Sequence, residues 1–210
     1  IRVVIMSGAG EKSFVSGADI SKFEKERGSK NATEHYNARL QVIYNLIEHY
    51  PKPTISMING YCVGGGLNLA ACTDIRIASD KSKFAMPAAK LALGYPYDAI
   101  RRLIAAVGPA AAKQLMFTAK SIDAQRALGI GLLQEVVKEQ TLKEHVHMIA
   151  STIASNAPLT VKAMKFIATQ VMKSDFSLGD LEACDEMVAE CFGSEDYVEG
   201  RNAFLEKRKP

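Results

Sequence analysis

A chain of 210 residues with 48% hydrophobic side chains is long enough to bury a substantial core, and its length suits one main domain. The formal net charge is only +3, and the basic residues are spread along the chain without interleaved aromatic residues, which argues against a nucleic-acid partner. No apolar run approaches the roughly 18 residues of a membrane span, and the four cysteines form no C-x-x-C pair, so we expect reduced thiols.

The first predicted element is a buried strand at Ile1 to Met6, which opens the sequence without a start signal. We therefore expect the natural N-terminus, with any targeting segment, to lie upstream, and a cytoplasmic location otherwise. A loop rich in Gly and Ser follows from Ser7 to Ser16, and the polar, charged stretch that continues to Thr33 predicts a mobile loop.

Apolar residues then recur at helical spacing from Tyr36 to Tyr50, and the prolines that follow end the predicted helix. The next predicted elements are a strand at Thr54 to Ile58, a helix of small and apolar residues at Leu67 to Cys72, and a strand at Asp74 to Ala78. This order predicts an α/β fold with parallel strand pairing and right-handed crossovers.

The pattern from Asp98 onward is mostly helical. Gly108 and Pro109 separate two predicted helices, and a short strand is expected at 133–137. Amphipathic segments follow at 141–155, 159–173 and 177–192, and Ser194 is the predicted N-cap of a last helix. We expect this helical C-terminal third to pack on a neighbouring copy.

The feature with the clearest chemical meaning is a run of three glycines, Gly64 to Gly66, between a predicted strand and a predicted helix. Glycine lets the backbone approach a ligand closely, and a helix N-terminus presents free N–H groups and a positive partial charge. Such a site stabilises a developing oxyanion, for example the enolate of a thioester, by roughly 3 kcal/mol per donor. A tight crossover that needs glycine only for packing explains an isolated triplet equally well.

A second segment favours the first interpretation. The stretch Phe14–Ile20 precedes Asn59–Gly66 by about 40 residues, and together they resemble the paired signatures of the crotonase (enoyl-CoA hydratase/isomerase) superfamily. The segments 51–55, 73–78 and 124–129 extend the resemblance over nearly the whole chain.

The resemblance implies a spiral of β-β-α turns over residues 1–140 and a helical trimerisation region over 141–210. It implies trimers or dimers of trimers, and a CoA thioester whose carbonyl lies between the backbone N–H groups of Ser16 and Gly65. Coenzyme A would enter as part of the substrate, with no permanently bound cofactor and no metal. The implied substrate-binding and CoA-binding residues are Phe14, Val15, Gly17, Ala18, Asp19, Ile20, Gly64, Ala88 and Tyr95.

The sequence departs from the hydratases of this superfamily, which add water to an enoyl-CoA with two glutamates. The corresponding positions are Asn68 and Ala88, and neither side chain can act as a general acid or base. Polar residues expected near the pocket are Asn68, Tyr95, Tyr97 and Asp98.

Three readings of the chemistry remain open beside hydratase/isomerase-type action on an enoyl-CoA. The segment Leu93–Asp98 resembles that of methylmalonyl-CoA decarboxylases, in which a tyrosine at the position of Tyr97 orients the substrate carboxylate and no glutamate base is needed. Those enzymes carry a histidine where this chain has Ala18. Alternatively, Asp98 acts as a lone base for isomerisation or for hydration of an unusual acyl group, or the chain binds acyl-CoA without catalysis.

Overall fold

The computed structural model describes residues 1–22, 28–173 and 175–210. These residues divide into two compact units. The core unit comprises Ile5–Tyr50 and Thr54–Met148, and the helical unit comprises Ile1–Val4, Pro51–Pro53 and Ile149–Pro210. The division at residue 140 that the resemblance implies stays a prediction.

The first part of the chain alternates strands and helices. In chain order these are β1 (Val4–Ser7), β2 (Ser13–Val15), a 3-10 helix (Ile20–Lys22), α1 (Lys30–Glu48), β3 (Thr54–Ile58), β4 (Tyr61–Val63), α2 (Gly65–Ala71), β5 (Ile75–Ser79) and β6 (Lys83–Ala85). A second 3-10 helix (Pro87–Leu91), α3 (Tyr97–Thr118), β7 (Ile122–Asp123), α4 (Ala124–Gly129) and β8 (Glu135–Val137) follow.

The strands of the described chain form two sheets, ordered β1-β3-β5-β8 and β2-β4-β6-β7. Pairing is parallel between β3 and β5, β5 and β8, β2 and β4, and β4 and β6, whereas β7 runs antiparallel to β6. From β1 to β6, consecutive strands therefore alternate between the sheets, and a helical segment follows each pair. The predicted α/β fold, a spiral of β-β-α turns, is confirmed.

The core unit is held together by apolar side chains from both sheets and from the helices between them. Residues with at most 1% of their surface exposed include Ile58, Leu67, Phe84, Leu103 and Leu132. Each such side chain stabilises the fold by about 1.5–3 kcal/mol relative to an exposed position. Parallel strands covered on both faces need this nearly continuous apolar composition, which is why β3 was recognisable from the sequence.

Asp74 joins the beginnings of the neighbouring strands β3 and β5. Its carboxylate accepts hydrogen bonds from the backbone N–H and the hydroxyl of Thr54, at 2.7 and 2.9 Å. The buried Arg76 donates to the carbonyls of Leu132 and Thr73, so its charge is satisfied by backbone dipoles. These contacts fix the spiral turn that carries α2.

Two predictions about helix boundaries need correction or refinement. α1 begins at Lys30, with Ser29 as its N-cap, so the predicted loop to Thr33 is wrong for its last four residues; Phe23–Arg27 of that loop lie outside the described residues. The predicted break at Gly108 is confirmed as a kink within α3, where Gly108 has φ 74° and Pro109 follows.

The C-terminal part of the chain is helical, as predicted: α5 (Leu142–Ala154), α6 (Pro158–Val171), α7 (Leu178–Phe192) and α8 (Glu195–Leu205). Ser194 is the N-cap of α8 and accepts a hydrogen bond from the Tyr197 N–H. Leu178, Phe192 and Phe204 expose large apolar side chains on these helices. Trimer formation stays a prediction. Within the described residues, no helix is long and apolar enough to cross a membrane.

Candidate active site

A cavity of about 390 Å³ opens in the core unit at the N-terminal end of α2. Its walls come from the end of β2, one face of α1, the glycine run before α2, and the segment between the second 3-10 helix and α3. The lining residues are Val15, Ser16, Gly17, Ala18, Tyr36, Asn37, Leu40, Gln41, Ile43, Tyr44, Val63, Gly64, Gly65, Asn68, Leu69, Pro87, Ala88, Leu91, Leu93, Gly94, Tyr95, Pro96 and Ala99.

A tight backbone contact brings the two predicted oxyanion donors to the same end of this cavity. A Cβ on Gly66 would lie 2.0 Å from the carbonyl oxygen of Val15, a distance that no side chain tolerates. Only glycine therefore allows the start of α2 to pack against the end of β2. Ser16 follows Val15 and Gly65 precedes Gly66, and both residues line the cavity next to this contact.

Helix geometry leaves the Gly65 N–H without a partner inside its own helix. Gly64, at φ 56°, donates its N–H to the carbonyl of Ala85 at 2.9 Å, and its carbonyl accepts the first helical bond from Asn68 at 3.2 Å. Gly65 is the first residue of α2, so its N–H is one of the orphan donors at the positive end of the helix. This end of the cavity can bind a carbonyl oxygen or an oxyanion.

Two aromatic hydroxyls flank the glycines. A Cβ on Gly65 would lie 3.5 Å from the Tyr44 hydroxyl, and one on Gly64 would lie 3.8 Å from the Tyr95 hydroxyl. Asn68, one turn into α2, is 4% exposed, and its Oδ1 has no hydrogen-bond partner among the described residues. Burial raises the pKa of Tyr44, and the Asn68 side chain acts in the opposite direction.

Behind this wall, a charged network joins α1 to α3. Glu48 accepts hydrogen bonds from Arg101 at 2.6 Å and from the buried Arg102 at 2.7 Å. Arg102 also donates to Asn45 at 2.9 Å, and its guanidinium lies 5.7 Å from the centre of the Tyr44 ring. The network fixes the face of α1 that carries Tyr44.

The structure brings most of the predicted site residues together. Those that line the cavity are Val15, Ser16, Gly17, Ala18, Gly64, Gly65, Asn68, Ala88 and Tyr95. Their assembly depends on segments separated by up to 80 residues, from Val15 to Tyr95.

Other predicted site residues lie outside the cavity lining. Phe14 is 4% exposed and belongs to the hydrophobic core, while the exposed Asp19 accepts hydrogen bonds from Ser21. Ile20 begins the first 3-10 helix, and its side chain lies outside the described residues.

Tyr97 and Asp98, the first two residues of α3, also lie outside the lining. Tyr97 is 76% exposed, so its predicted role at a substrate carboxylate gains no support from the cavity geometry. Asp98 accepts a hydrogen bond from Gln41, which does line the cavity, and lies 3.6 Å from Arg101. Its carboxylate is engaged by these two side chains, and its role as a lone base stays a prediction.

Sequence reasoning missed the contribution of α1. Tyr36, Gln41 and Tyr44 line the cavity from this helix, although no motif marks them. Their polar atoms interrupt an otherwise apolar helix face, which was the available signal. The helical spacing alone favoured an ordinary core face.

The described lining contains serine, tyrosine, asparagine and glutamine as its polar side chains, and no carboxylate or other charged group. No group of His, Cys, Asp and Glu side chains in the described part of the chain could hold a metal ion. The donors available to a ligand are thus backbone N–H groups, hydroxyls and amides.

The family model for enoyl-CoA hydratase/isomerase matches residues 1–210. The chain belongs to this family. A crotonyl-CoA hydratase of Syntrophomonas wolfei is 40% identical over 210 residues, covering 100% of this chain and 79% of that protein. The methylmalonyl-CoA decarboxylase of Escherichia coli K12 is 35% identical over 213 residues, covering 99% and 79%.

Solved structures of enoyl-CoA hydratase/isomerase family members agree with this assignment. The crystal structure of an enoyl-CoA hydratase/carnithine racemase from Magnetospirillum magneticum matches with a TM-score of 0.92 at 33% identity, covering 100% of this chain and 78% of that one. The enoyl-CoA hydratase of Bacillus anthracis matches with a TM-score of 0.88 at 33% identity, covering 100% and 80%. The fold and the family are therefore shared with proteins named as hydratases and with a decarboxylase.

Proposed function

We propose that this enoyl-CoA hydratase/isomerase family member binds an acyl-CoA thioester with its carbonyl oxygen between the N–H groups of Ser16 and Gly65. We further propose that it decarboxylates a malonyl-type thioester. The observation that carries the proposal is the cavity itself, which combines an oxyanion end with a described lining free of carboxylates. Decarboxylation generates the enolate by loss of CO2, so it needs oxyanion stabilisation but no enzyme base.

Decarboxylation moves negative charge from the carboxylate to the thioester oxygen. The C–CO2 bond breaks, its electron pair moves into the thioester as an enolate, and the oxygen that gains charge faces backbone donors. In a cavity lined mainly by apolar groups this interaction is stronger than in water. A carboxylate in the wall would repel the negatively charged substrate, and the described lining contains none.

We assign the orientation of the substrate carboxylate to Tyr95 rather than to Tyr97. Tyr95 lines the cavity, and its hydroxyl lies beside Gly64, whereas Tyr97 is largely exposed. A neutral phenol can donate a hydrogen bond to a carboxylate without stabilising it so strongly that CO2 loss is prevented.

Hydration of a short enoyl-CoA is the second candidate. The 40% identity to a crotonyl-CoA hydratase favours it, as does the buried Asn68 Oδ1, which can accept a hydrogen bond from a water molecule. Against it stands the chemistry of Asn68 and Ala88, because an amide and a methyl group cannot move the protons that hydration requires.

A matched pair of variants at Gly65 tests the oxyanion assignment. Gly65→Pro deletes the N–H at the first helical position, which proline commonly occupies in helices, while Gly65→Ala keeps the N–H and places its Cβ at an ordinary 3.5 Å from the Tyr44 hydroxyl. Turnover of methylmalonyl-CoA should fall roughly a hundredfold in Gly65→Pro and only slightly in Gly65→Ala. Equal activities in two folded variants would contradict the role of the Gly65 N–H.

A further inference from the structure

The hydroxyl of Tyr44 lies at the proposed oxyanion site, and the decarboxylation step described above gives it no role. It packs against the oxyanion glycine, at 3.5 Å from the site of a Cβ on Gly65. Tyr44 is 9% exposed and lines the cavity, so its hydroxyl is withdrawn from bulk water but accessible to a ligand. In a thioester the carbonyl carbon is bonded both to the α-carbon and to the oxygen that the Gly65 N–H would bind. The α-carbon and this oxygen are therefore separated by a single atom. A hydroxyl beside Gly65 is therefore within reach of the α-carbon.

Asn68 provides a second observation that points to a ligand. It is buried, it lines the same cavity, and its Oδ1 has no hydrogen-bond partner among the described residues. The Asn68 side chain also interacts with Tyr44, whose pKa it lowers.

The surroundings of Tyr44 keep its phenol neutral, because their net effect is to raise its pKa. Burial raises its pKa, with smaller contributions in the same direction from Cys72 and Tyr36. Asn68 and the Arg102 guanidinium beside the ring lower it. A neutral phenol can give up a proton to a strongly basic carbanion, and the nearby cation stabilises the tyrosinate that results.

We propose that Tyr44 is the catalytic acid that delivers a proton to the α-carbon of the thioester enolate, with Asn68 as its positioning residue. The inference rests on the proposed binding of a thioester at Ser16 and Gly65. After CO2 leaves, the enolate electron pair forms the Cα–H bond with the Tyr44 proton, the O–H bond breaks, and the tyrosinate regains a proton from water. Ala88, at the position of a hydratase glutamate, carries no such proton.

The test follows deuterium into the product. Methylmalonyl-CoA is turned over in D2O and the configuration of the 2-deuteriopropionyl-CoA is determined; separately, propionyl-CoA is incubated in D2O and its α-exchange measured. Tyr44→Phe is compared with the wild type and with Tyr61→Phe, a control at an exposed tyrosine outside the cavity lining. Propionyl-CoA affinity and circular dichroism of each variant establish that the site and fold are retained.

The wild type and Tyr61→Phe should give one configuration of the deuterated product and measurable α-exchange. Tyr44→Phe should bind propionyl-CoA normally, exchange about a hundredfold more slowly, and give label of both configurations. Unchanged exchange and one configuration in Tyr44→Phe overturn the inference while leaving the oxyanion proposal intact. A wild type that neither releases CO2 nor exchanges the α-hydrogen overturns both proposals.

Asn68→Ala keeps the inference testable if Tyr44→Phe does not fold. As a positioning residue, Asn68 acts through Tyr44, so Asn68→Ala should lose configurational purity of the product with little change in KM. Full purity in Asn68→Ala at an unchanged rate contradicts the positioning role.

Discussion

The carbonyl oxygen of Val15 lies 2.0 Å from the position that a Cβ on Gly66 would occupy. This contact joins the end of β2, which Ser16 follows, to the start of α2, where Gly65 lies. Gly66 is therefore important for the proposed oxyanion site although it need not contact the substrate.

Gly66→Ala should therefore separate the two oxyanion donors. The added methyl group forces a backbone shift, which we expect to cost about 1–3 kcal/mol of unfolding free energy and roughly a hundredfold in kcat/KM. Chemical denaturation and thioester turnover measure the two effects. Gly200→Ala is the matched control, because a Cβ at Gly200 in α8 meets nothing within 4 Å. Equal turnover in Gly66→Ala and the wild type would show that the contact does not set the donor spacing.

The two tyrosines before and at the start of α3 should differ in their effect on catalysis. Tyr95→Phe removes a hydroxyl that lies beside Gly64 in the cavity, whereas Tyr97→Phe removes one from a largely exposed side chain. We expect Tyr95→Phe to lower kcat/KM for methylmalonyl-CoA at least about tenfold more than Tyr97→Phe does. Steady-state kinetics measure both variants. A larger loss of kcat/KM in Tyr97→Phe than in Tyr95→Phe would restore the sequence-based assignment to Tyr97.

Installing the two carboxylates should move the enzyme toward hydration. Asn68 and Ala88 line the same cavity, and the sequence resemblance predicts that hydratases of the family carry glutamates at these two positions. The double variant Asn68→Glu and Ala88→Glu should hydrate crotonyl-CoA at least about a hundredfold faster than the wild type, since it regains an acid and a base. Each single variant serves as the control. A folded double variant that binds crotonyl-CoA without this gain would contradict the account of why Asn68 and Ala88 matter.

Removing the Glu48 carboxylate should destabilise the core unit. Arg102 is 3% exposed and depends on Glu48 for its charged partner, so Glu48→Gln should lower the unfolding free energy by about 3 kcal/mol. Glu34→Gln, which alters an exposed pair with Lys30 at 4.0 Å, should change it by less than about 0.5 kcal/mol. Urea denaturation at neutral pH compares the two, and equal effects would rule out a special role for the buried pair.

Protonation of Glu48 should also lower the stability of the protein at acid pH. Burial alone would raise the pKa of Glu48, but hydrogen bonds and charge from Arg101 and Arg102 outweigh it, and the net pKa is lowered from 4.5. Its stabilising contribution is thus present above pH 4.5 and is lost as the pH falls through the lower folded value. The urea midpoint of the wild type should fall more steeply below pH 4.5 than that of Glu48→Gln. Parallel acid profiles would assign the acid transition to other carboxylates.

Much of the fold could be predicted because local signals were strong. The strand Thr54–Ile58 was predicted at its observed bounds, since five mostly apolar residues lie between a proline and an Asn-Gly turn. The cap at Ser194 and the break at Gly108 follow from side-chain hydrogen bonding and backbone freedom, both local properties. The strands β2, β4 and β6 span three residues each, too few for alternation to be recognised.

The cavity was predicted less completely because it depends on packing. The signatures placed Ser16 and Gly65, but nothing local distinguishes Tyr44 from a core residue of an amphipathic helix. Tyr95 and Tyr97 are two residues apart, and only the start of α3 at Tyr97 decides which side chain reaches the cavity. Such choices depend on residues distant in sequence, which pattern and composition do not encode.

The most direct test measures CO2 release from methylmalonyl-CoA and hydration of crotonyl-CoA side by side, with mass spectrometry of the products. We predict propionyl-CoA and CO2 from the first substrate, and little or no 3-hydroxybutyryl-CoA from the second. Efficient hydration of crotonyl-CoA with no CO2 release would contradict it, because the described lining of the cavity offers no carboxylate to carry out that reaction.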